Sequence, residues 1–200
     1  MKVLKKGIVG LLLSLFVGTI IGAGTASASE KTVGGIYDRK IVTIQSVIDP
    51  WYVVDWSQTN LDEAVLFHNN GVWNQKWWMW YNPENDTYDI ATGFIPPSPN
   101  KVGSWLQATD KTDANGNPFV GGDMYNPHES LFWKLIPVGS HPNGTVVMLK
   151  NLHTNTVMDI ADSQIYNGSR LITYPQHGGR NQQFIIHVEG DSNSSALINR

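Results

Sequence analysis

The chain contains the segment YVVDW at residues 52–56 and two related segments, SWLQA at residues 104–108 and TVMDI at residues 156–160. Their polar residues are Asp55, Gln107 and Asp159, which are separated by 52 residues and then by 52 again. Equal spacing of similar segments indicates an internal repeat. Because each polar residue lies within an apolar run, we predict a β-strand at the same place in three repeats.

A second marker recurs further along each repeat, as NQKW at residues 74–77, SLFW at 130–133 and NQQF at 181–184. In the first and last repeats an aromatic residue, Phe67 or Tyr174, lies seven residues before the asparagine of this marker. Short runs of β-forming residues alternate with turns rich in Gly, Pro and Asn. Roughly four strands in each of three repeats predict an all-β fold, a β-trefoil with pseudo-threefold symmetry.

The two ends of the chain lie outside the repeats. Three lysines in residues 1–6, a long apolar run and the small residues ASA ending at Ala28 predict a secretory signal peptide over residues 1–28. An uncleaved membrane anchor is the alternative, because the run is nearly long enough to span a bilayer. The other predicted parts are a flexible N-terminal arm at 29–36, the trefoil domain at 37–190 with repeats at about 37–87, 88–141 and 142–190, and a polar tail at 191–200.

Composition excludes several classes of function. Residues 1–28 hold three of the 14 basic residues and none of the 17 acidic ones, so the remaining chain has a formal charge of −6. An acidic chain without a basic cluster is poorly suited to nucleic acids or anionic lipid surfaces. There is no cysteine, which excludes disulfides and thiolate chemistry. We therefore expect a secreted, extracellular protein, bacterial in origin, that does not insert into a membrane once the signal is removed.

Catalytic motifs are absent from the sequence. It has no cysteine nucleophile, no Gly-x-Ser-x-Gly elbow and no His-Glu-x-x-His pair. The six histidines are scattered, mostly in turns, without the spacing of metal ligands. We expect a protein that is not an enzyme and that carries no cofactor and no metal.

The repeated steps resemble those of the ricin-type β-trefoil lectin family. They are the Gln-x-aromatic step, Gln75-Lys76-Trp77 and Gln182-Gln183-Phe184, and the apolar-Asp-apolar step, Val54-Asp55-Trp56 and Met158-Asp159-Ile160. The resemblance covers nearly all of residues 37–190. It implies a lectin in which the aromatic residue of the first step faces the shared core and the glutamine holds the aspartate of a binding site.

By resemblance, two repeats supply carbohydrate-binding sites, each with an aspartate, a stacking aromatic, an asparagine and a supporting glutamine. These residues are Asp159, Tyr174, Asn181 and Gln182 in the last repeat, and Asp55, Phe67, Asn74 and Gln75 in the first. A carboxylate accepts hydrogen bonds from two adjacent hydroxyls, an amide pairs with them, and an aromatic ring covers the apolar sugar face. We expect the carboxylate of Asp159 to lie in an open, shallow depression beside Tyr174.

The three repeats are unequal. The middle repeat has Gln107 and the pair Ser130-Leu131 in place of the acid and its support, so we predict no site there. We rank the last repeat above the first, because Phe67 lacks a polar edge and follows its aspartate by twelve residues rather than fifteen. Val65 and Ile172 stand where the family often has a polar residue, two positions before the aromatic. For each aspartate, shaping a local turn is the alternative role.

The tryptophan-rich stretch GVWNQKWWMWYN, residues 71–82, predicts a strand with Trp77 and Met79 in the core. On the other face of that strand, burial of Trp78 and Trp80 is favoured over an exposed strip. The expected partners are glycans, galactose-type sugars by resemblance. The alternative is a protein-binding module, either the receptor-targeting subunit of a toxin or a protease inhibitor. Its interface would be an exposed patch of Trp51, Trp56, Trp78 and Trp80.

Overall fold

A computed structural model describes residues 30–59, 62–93, 105–122 and 128–192. The predicted signal peptide and most of the predicted polar tail lie outside these residues. The strands are β1 (Lys40–Ser46), β2 (Tyr52–Trp56), β3 (Ala64–His68), β4 (Trp77–Asn82), β5 (Thr87–Thr92), β6 (Gln107–Thr112), β7 (Pro118–Gly121), β8 (Phe132–His141), β9 (Gly144–Asn151), β10 (Val157–Ile160), β11 (Ser169–Tyr174) and β12 (Phe184–Asp191). Short 3-10 turns cover Trp73–Gln75, His128–Leu131, Ala161–Ser163 and Arg180–Gln182.

Six strands close into a barrel. Antiparallel pairs join β1 to β4, β4 to β5, β5 to β8, β8 to β9, β9 to β12 and β12 back to β1. The other six strands form the hairpins β2–β3, β6–β7 and β10–β11. The hairpins meet one another where β11 pairs with both β3 and β7, and where Glu63 bridges Gly121. This is the predicted β-trefoil, with four strands in each repeat.

The core is built from equivalent residues of the three repeats. Trp77, Trp133 and Phe184, the aromatic residues of the second marker, are each 0% exposed. The indole N–H of Trp77 donates to the carbonyl of Val54 at 2.9 Å, and that of Trp133 donates to Leu106 at 2.8 Å. The core aromatic of each of these two repeats therefore fixes the residue that precedes Asp55 or Gln107.

The stretch with four tryptophans is less buried than predicted. Trp77 and Met79 are both in the core, as expected. Trp73 and Gln75 belong to a 3-10 turn rather than to the strand, which begins at Trp77. Trp78 and Trp80 are half-buried because they lie on the outer face of the barrel, where Trp80 packs against Trp78 and Trp105.

The N-terminal segment also differs from the flexible arm that we predicted. Val33 packs against the core, and its backbone N–H donates to the carbonyl of Leu135 at 3.0 Å. Glu30 forms an ion pair with Lys150 at 3.0 Å. These contacts with β8 and β9 hold the segment on the barrel. Among the described residues, no helix has the length and apolar character needed to cross a bilayer.

Candidate functional site

The first repeat assembles its four predicted site residues around the β2–β3 hairpin. Asp55 lies on β2, and the 3-10 turn before β4 brings Asn74 and Gln75 against its carboxylate. The Asn74 amide donates to Oδ1 at 2.7 Å, and the Gln75 amide donates to Oδ2 at 2.8 Å. Gln75 is itself held, because it donates to the carbonyl of His68 at 3.0 Å and accepts from the N–H of Asn70 at 2.9 Å.

The last repeat contains the same arrangement. Asn181 donates to Oδ1 of Asp159 and Gln182 donates to Oδ2, both at 2.9 Å. Gln182 also donates to the carbonyl of Pro175 at 3.0 Å and accepts from the backbone N–H of His177 at 2.8 Å. The glutamine in both repeats therefore ties the aspartate to the loop that follows the aromatic residue.

The two aromatic residues occupy equivalent positions in spite of their different sequence spacing. Asp55 pairs with Val65, two residues before Phe67, and Asp159 pairs with Ile172, two residues before Tyr174. The three extra residues of the last repeat lie in the connection between β10 and β11, which includes the turn Ala161–Ser163. Phe67 is 36% exposed and Tyr174 is 40% exposed, so both rings are available to a ligand.

The middle repeat has no acidic group at the equivalent place. The hydroxyl of Ser130 donates to Oε1 of Gln107 at 3.0 Å, and Leu131 occupies the position of the supporting glutamine. Gly121 lies opposite Gln107, and a Cβ there would come within 2.1 Å of the carbonyl oxygen of Asp62. The two groups that meet here, an amide and a hydroxyl, are both neutral.

Both carboxylates are more buried than the sequence suggested. Asp55 is 4% exposed and Asp159 is 3% exposed, so the expected open depression over Asp159 is wrong. Burial raises the pKa of Asp55 to about 6, although the amides of Gln75 and Asn74 act in the opposite direction. Burial also raises the pKa of Asp159, against the lowering effects of Gln182, Asn181 and His177. The cause of the burial is that both oxygens of each carboxylate face amide donors.

A pocket of about 770 Å³ opens on the site of the first repeat. Asp55 and Asn74 lie on its wall together with Val65 and Phe67. Another part of the wall comes from the last repeat and includes Arg170, which pairs with Val65. From the sequence we ranked the last repeat above the first, and this pocket lies at the first. Part of its wall belongs to a neighbouring hairpin that is distant in sequence, so the local motifs do not reveal it.

The sequence did not identify His177 as a site residue. Its Nε2 lies 3.4 Å from Oδ2 of Asp159, and its ring contacts Tyr174 edge-to-face with centroids 6.0 Å apart. Asn70 is the equivalent residue of the first repeat, because its N–H bonds Gln75 as the N–H of His177 bonds Gln182. Asn70 lies five residues before Gln75, and His177 lies five residues before Gln182. This equal spacing could have identified both residues from the sequence.

The four tryptophans expected at the interface of a protein-binding module do not form one patch. Trp56 is 1% exposed and packs edge-to-face on Trp77, whereas Trp51 is 68% exposed and stacks on His68. Trp78 and Trp80 belong to a separate cluster on the barrel. Within the part of the chain that the structure describes, no three His, Asp or Glu residues are placed to hold a metal ion.

Comparison with known proteins agrees with the fold. Residues 132–200 match the family described as ricin-type beta-trefoil lectin domain-like. A curated relative, the main hemagglutinin component type C of Clostridium botulinum C phage, is 31% identical over 117 residues. That alignment covers 57% of this chain and 36% of the relative, so the chain matches only about a third of the relative's length.

Solved structures show the same fold. A Macrolepiota procera ricin B-like lectin in complex with lactose aligns with a TM-score of 0.57 and 14% identity, over 75% of this chain and 96% of that one. A mosquitocidal holotoxin aligns with a TM-score of 0.59 and 18% identity, over 74% of this chain and 17% of that one. The predicted resemblance is confirmed: the chain has the β-trefoil fold of the ricin-type lectins, and residues 132–200 match their family model.

Proposed function

We propose that this protein is a secreted, non-catalytic lectin that binds glycans ending in galactose-type sugars. The observation that carries the proposal is the pair Asp55 and Asn74 on the wall of a pocket that also holds the exposed ring of Phe67, with Gln75 buried behind the carboxylate. The likeness to a lectin that binds lactose and to a hemagglutinin component supports it. Secretion rests on the signal-like residues 1–28.

Each group at the site has a chemical task in binding a sugar. A carboxylate has about four acceptor positions, and the amides of Asn74 and Gln75 use one on each oxygen of Asp55. The remaining positions accept hydrogen bonds from two neighbouring sugar hydroxyls. The ring of Phe67 stacks on the C–H face of the sugar and excludes water. Because Gln75 fixes the carboxylate, little side-chain entropy is lost on binding.

In the last repeat, Asp159, Tyr174, Asn181 and Gln182 hold the same arrangement. We infer a second site there from the exposed Tyr174 ring, although the carboxylate of Asp159 is 3% exposed. One sugar unit offers few atoms for burial, so the affinity of each site is weak, with a Kd on the order of 10⁻³ to 10⁻⁴ M. Two sites on one molecule allow tighter attachment to a surface that displays many glycans. This geometry suits a protein whose task is to attach to cell-surface or polysaccharide glycans.

Titration of lactose into single-site variants tests the proposal. Asp55→Ala and Asp159→Ala should each remove one of two binding sites, and the double variant should bind no sugar. Asp110→Ala, an exposed aspartate on β6, is the matched control and should bind like the wild type. Equal binding by the double variant and the wild type would show that these aspartates do not form the sites.

A second function, a protein-binding subunit of a toxin or hemagglutinin complex, is supported by one observation. Trp51 is 68% exposed and its indole lies parallel to the His68 ring, at 3°. Exposed, well-held tryptophans are frequent anchors of protein interfaces. A broad glycan array on which the wild-type protein retains no sugar would favour this function over lectin activity.

A further inference from the structure

A row of three paired residues crosses each hairpin. The rows are Asp55–Val65–Arg170, Gln107–Gly121–Glu63 and Asp159–Ile172–Phe119. Residues directly opposite one another on antiparallel strands point to the same face. The third member of each row, which comes from the neighbouring repeat, therefore lies on the same face as the polar residue that begins the row.

These third members are equivalent by the pseudo-symmetry but differ in chemistry. The first-repeat site has Arg170 beside it, whereas the last-repeat site has Phe119. Two strand spacings, about 10 Å, separate the backbones of Asp55 and Arg170. That distance is suited to a sugar ring whose hydroxyls meet the aspartate at one end and whose substituent meets the arginine at the other.

The guanidinium of Arg170 is held in place and is free to bind a ligand. Its Cζ lies 4.9 Å from the centroid of the Phe119 ring, a cation–π contact that fixes the planar group. Among the residues that the structure describes, Arg170 forms no ion pair. Stacking uses the face of a guanidinium and leaves the N–H groups at its edge available to a carboxylate or a sulfate.

Two acidic side chains, Glu63 and Asp55, limit where an anionic group can lie. Glu63 lines the same pocket as Arg170 and Asp55. The carboxylate of Asp55 already faces the amides of Asn74 and Gln75, while Glu63 disfavours an anion at its own side of the pocket. The arrangement therefore selects an anionic group that lies against Arg170 and points away from Glu63.

We propose that the first-repeat pocket prefers glycans that carry an anionic group, a carboxylate or a sulfate, on or next to the galactose-type sugar, and that Arg170 binds this group. The proposal rests on the proposed lectin function of the same pocket. In the row of the last repeat, the equivalent place is held by Phe119, which has no charge of its own. Arg170 thus determines the specificity of one of the two sites.

Calorimetric titration of the Asp159→Ala variant, which retains the first-repeat site alone, tests this assignment. The probes are lactose, lactose that bears a terminal sialic acid, and lactose with a sulfate on its galactose. An anionic probe should bind about tenfold more tightly than lactose, a ratio that falls as salt is added. The probe with the greater gain tells whether the pocket takes a carboxylate or a sulfate.

Variants then assign the preference to Arg170. With Arg170→Gln the ratio between anionic and neutral probes should fall to about one, and with Glu63→Gln it should rise about threefold. Arg39→Gln, which removes an equal charge outside the pocket, is the control and should keep the tenfold ratio. If lactose binds and the anionic probes bind no better, the role of Arg170 is wrong and the lectin function stands. If no probe binds the wild type, both proposals fail.

Discussion

The first and last repeats hold the same aspartate, asparagine and glutamine in nearly the same geometry, and they differ in what surrounds those residues. In the first repeat, Asp55 opens on a pocket of about 770 Å³ whose far wall includes Arg170. In the last repeat, Asp159 has His177 at 3.4 Å on one side and the apolar pair Ile172 and Phe119 on the other. The repeated motif residues therefore build the same hydrogen-bonded cluster in both repeats. The residues outside the motifs determine which ligand each cluster can bind.

The largest expected effect concerns the ionisation of the buried carboxylate in the first repeat. The folded protein raises the pKa of Asp55 from 3.8 to about 6, so it binds this proton more tightly than the unfolded chain does. The proton therefore favours the folded state at pH values below about 4, and this contribution is lost as the pH rises through about 6. A shift of this size corresponds to about 3 kcal/mol of unfolding free energy.

Urea unfolding of the wild type and of Asp55→Asn between about pH 4 and pH 7 measures this contribution. The wild type should lose stability relative to the variant as the pH rises, because the asparagine does not titrate. Parallel curves for the two proteins would contradict the raised pKa. Asp159→Asn provides the comparison between repeats, and the effect should have the same sign because burial also raises the pKa of Asp159.

The second-largest effect comes from replacing Gln75, whose amide donates to the carboxylate of Asp55. Gln75→Leu places in the first repeat the residue that the middle repeat has at Leu131. The buried carboxylate of Asp55 then loses one hydrogen bond, and we expect a loss of about 2 kcal/mol of unfolding free energy. Thermal or urea unfolding measures the loss, and Gln182→Leu is the matched change in the last repeat.

A triple variant shows whether the loss of stability in Gln75→Leu arises from the unsupported charge of Asp55. Asp55→Gln, Asn74→Ser and Gln75→Leu together import the whole polar set of the middle repeat. Because this set has no carboxylate, the triple variant should be more stable than Gln75→Leu alone, although it should not bind sugar at the first repeat. A triple variant that is less stable than the single one would show that packing, rather than the unsupported charge, dominates.

The sequence predicted the fold because the markers recur at positions that the folding pattern makes equivalent. The apolar-Asp-apolar step lies on the first strand of the hairpins β2–β3 and β10–β11. The Gln-x-aromatic step leads into β4 and β12, the last strands of the first and last repeats. The predicted pairing of Asp55 with Gln75 and of Asp159 with Gln182 follows from these two positions. Local pattern was sufficient for these motif residues, although it did not identify His177, which contacts Asp159 within the same repeat.

Contacts between repeats could not be predicted in this way. The wall that Arg170 supplies to the first-repeat pocket depends on the pairing of β11 with β3, which no local spacing encodes. The burial of Asp55 and Asp159 depends on how closely two amides approach each carboxylate, which the spacing of the motifs does not determine. Trp73 was assigned to a strand because alternation of side chains does not reveal a 3-10 turn three residues long.

The smallest effect concerns His177, whose Nε2 lies 3.4 Å from the carboxylate of Asp159, where the first repeat has Asn70. His177→Asn places there the residue that the first repeat has at Asn70. The histidine lowers the pKa of Asp159, and its loss should raise that pKa further. Since the ionised carboxylate is the form that accepts two hydroxyls, lactose binding at the last repeat should weaken about twofold at mildly acidic pH.

Titration of lactose into His177→Asn in an Asp55→Ala background measures this effect at the last repeat alone. The reciprocal variant, Asn70→His in an Asp159→Ala background, should make the first-repeat site bind more strongly at mildly acidic pH. The two changes have opposite signs only if the residue after the aromatic acts through the charge of the aspartate. If both variants weaken binding equally at every pH, the residue acts by contact with the sugar, and the two sites differ in shape rather than in electrostatics.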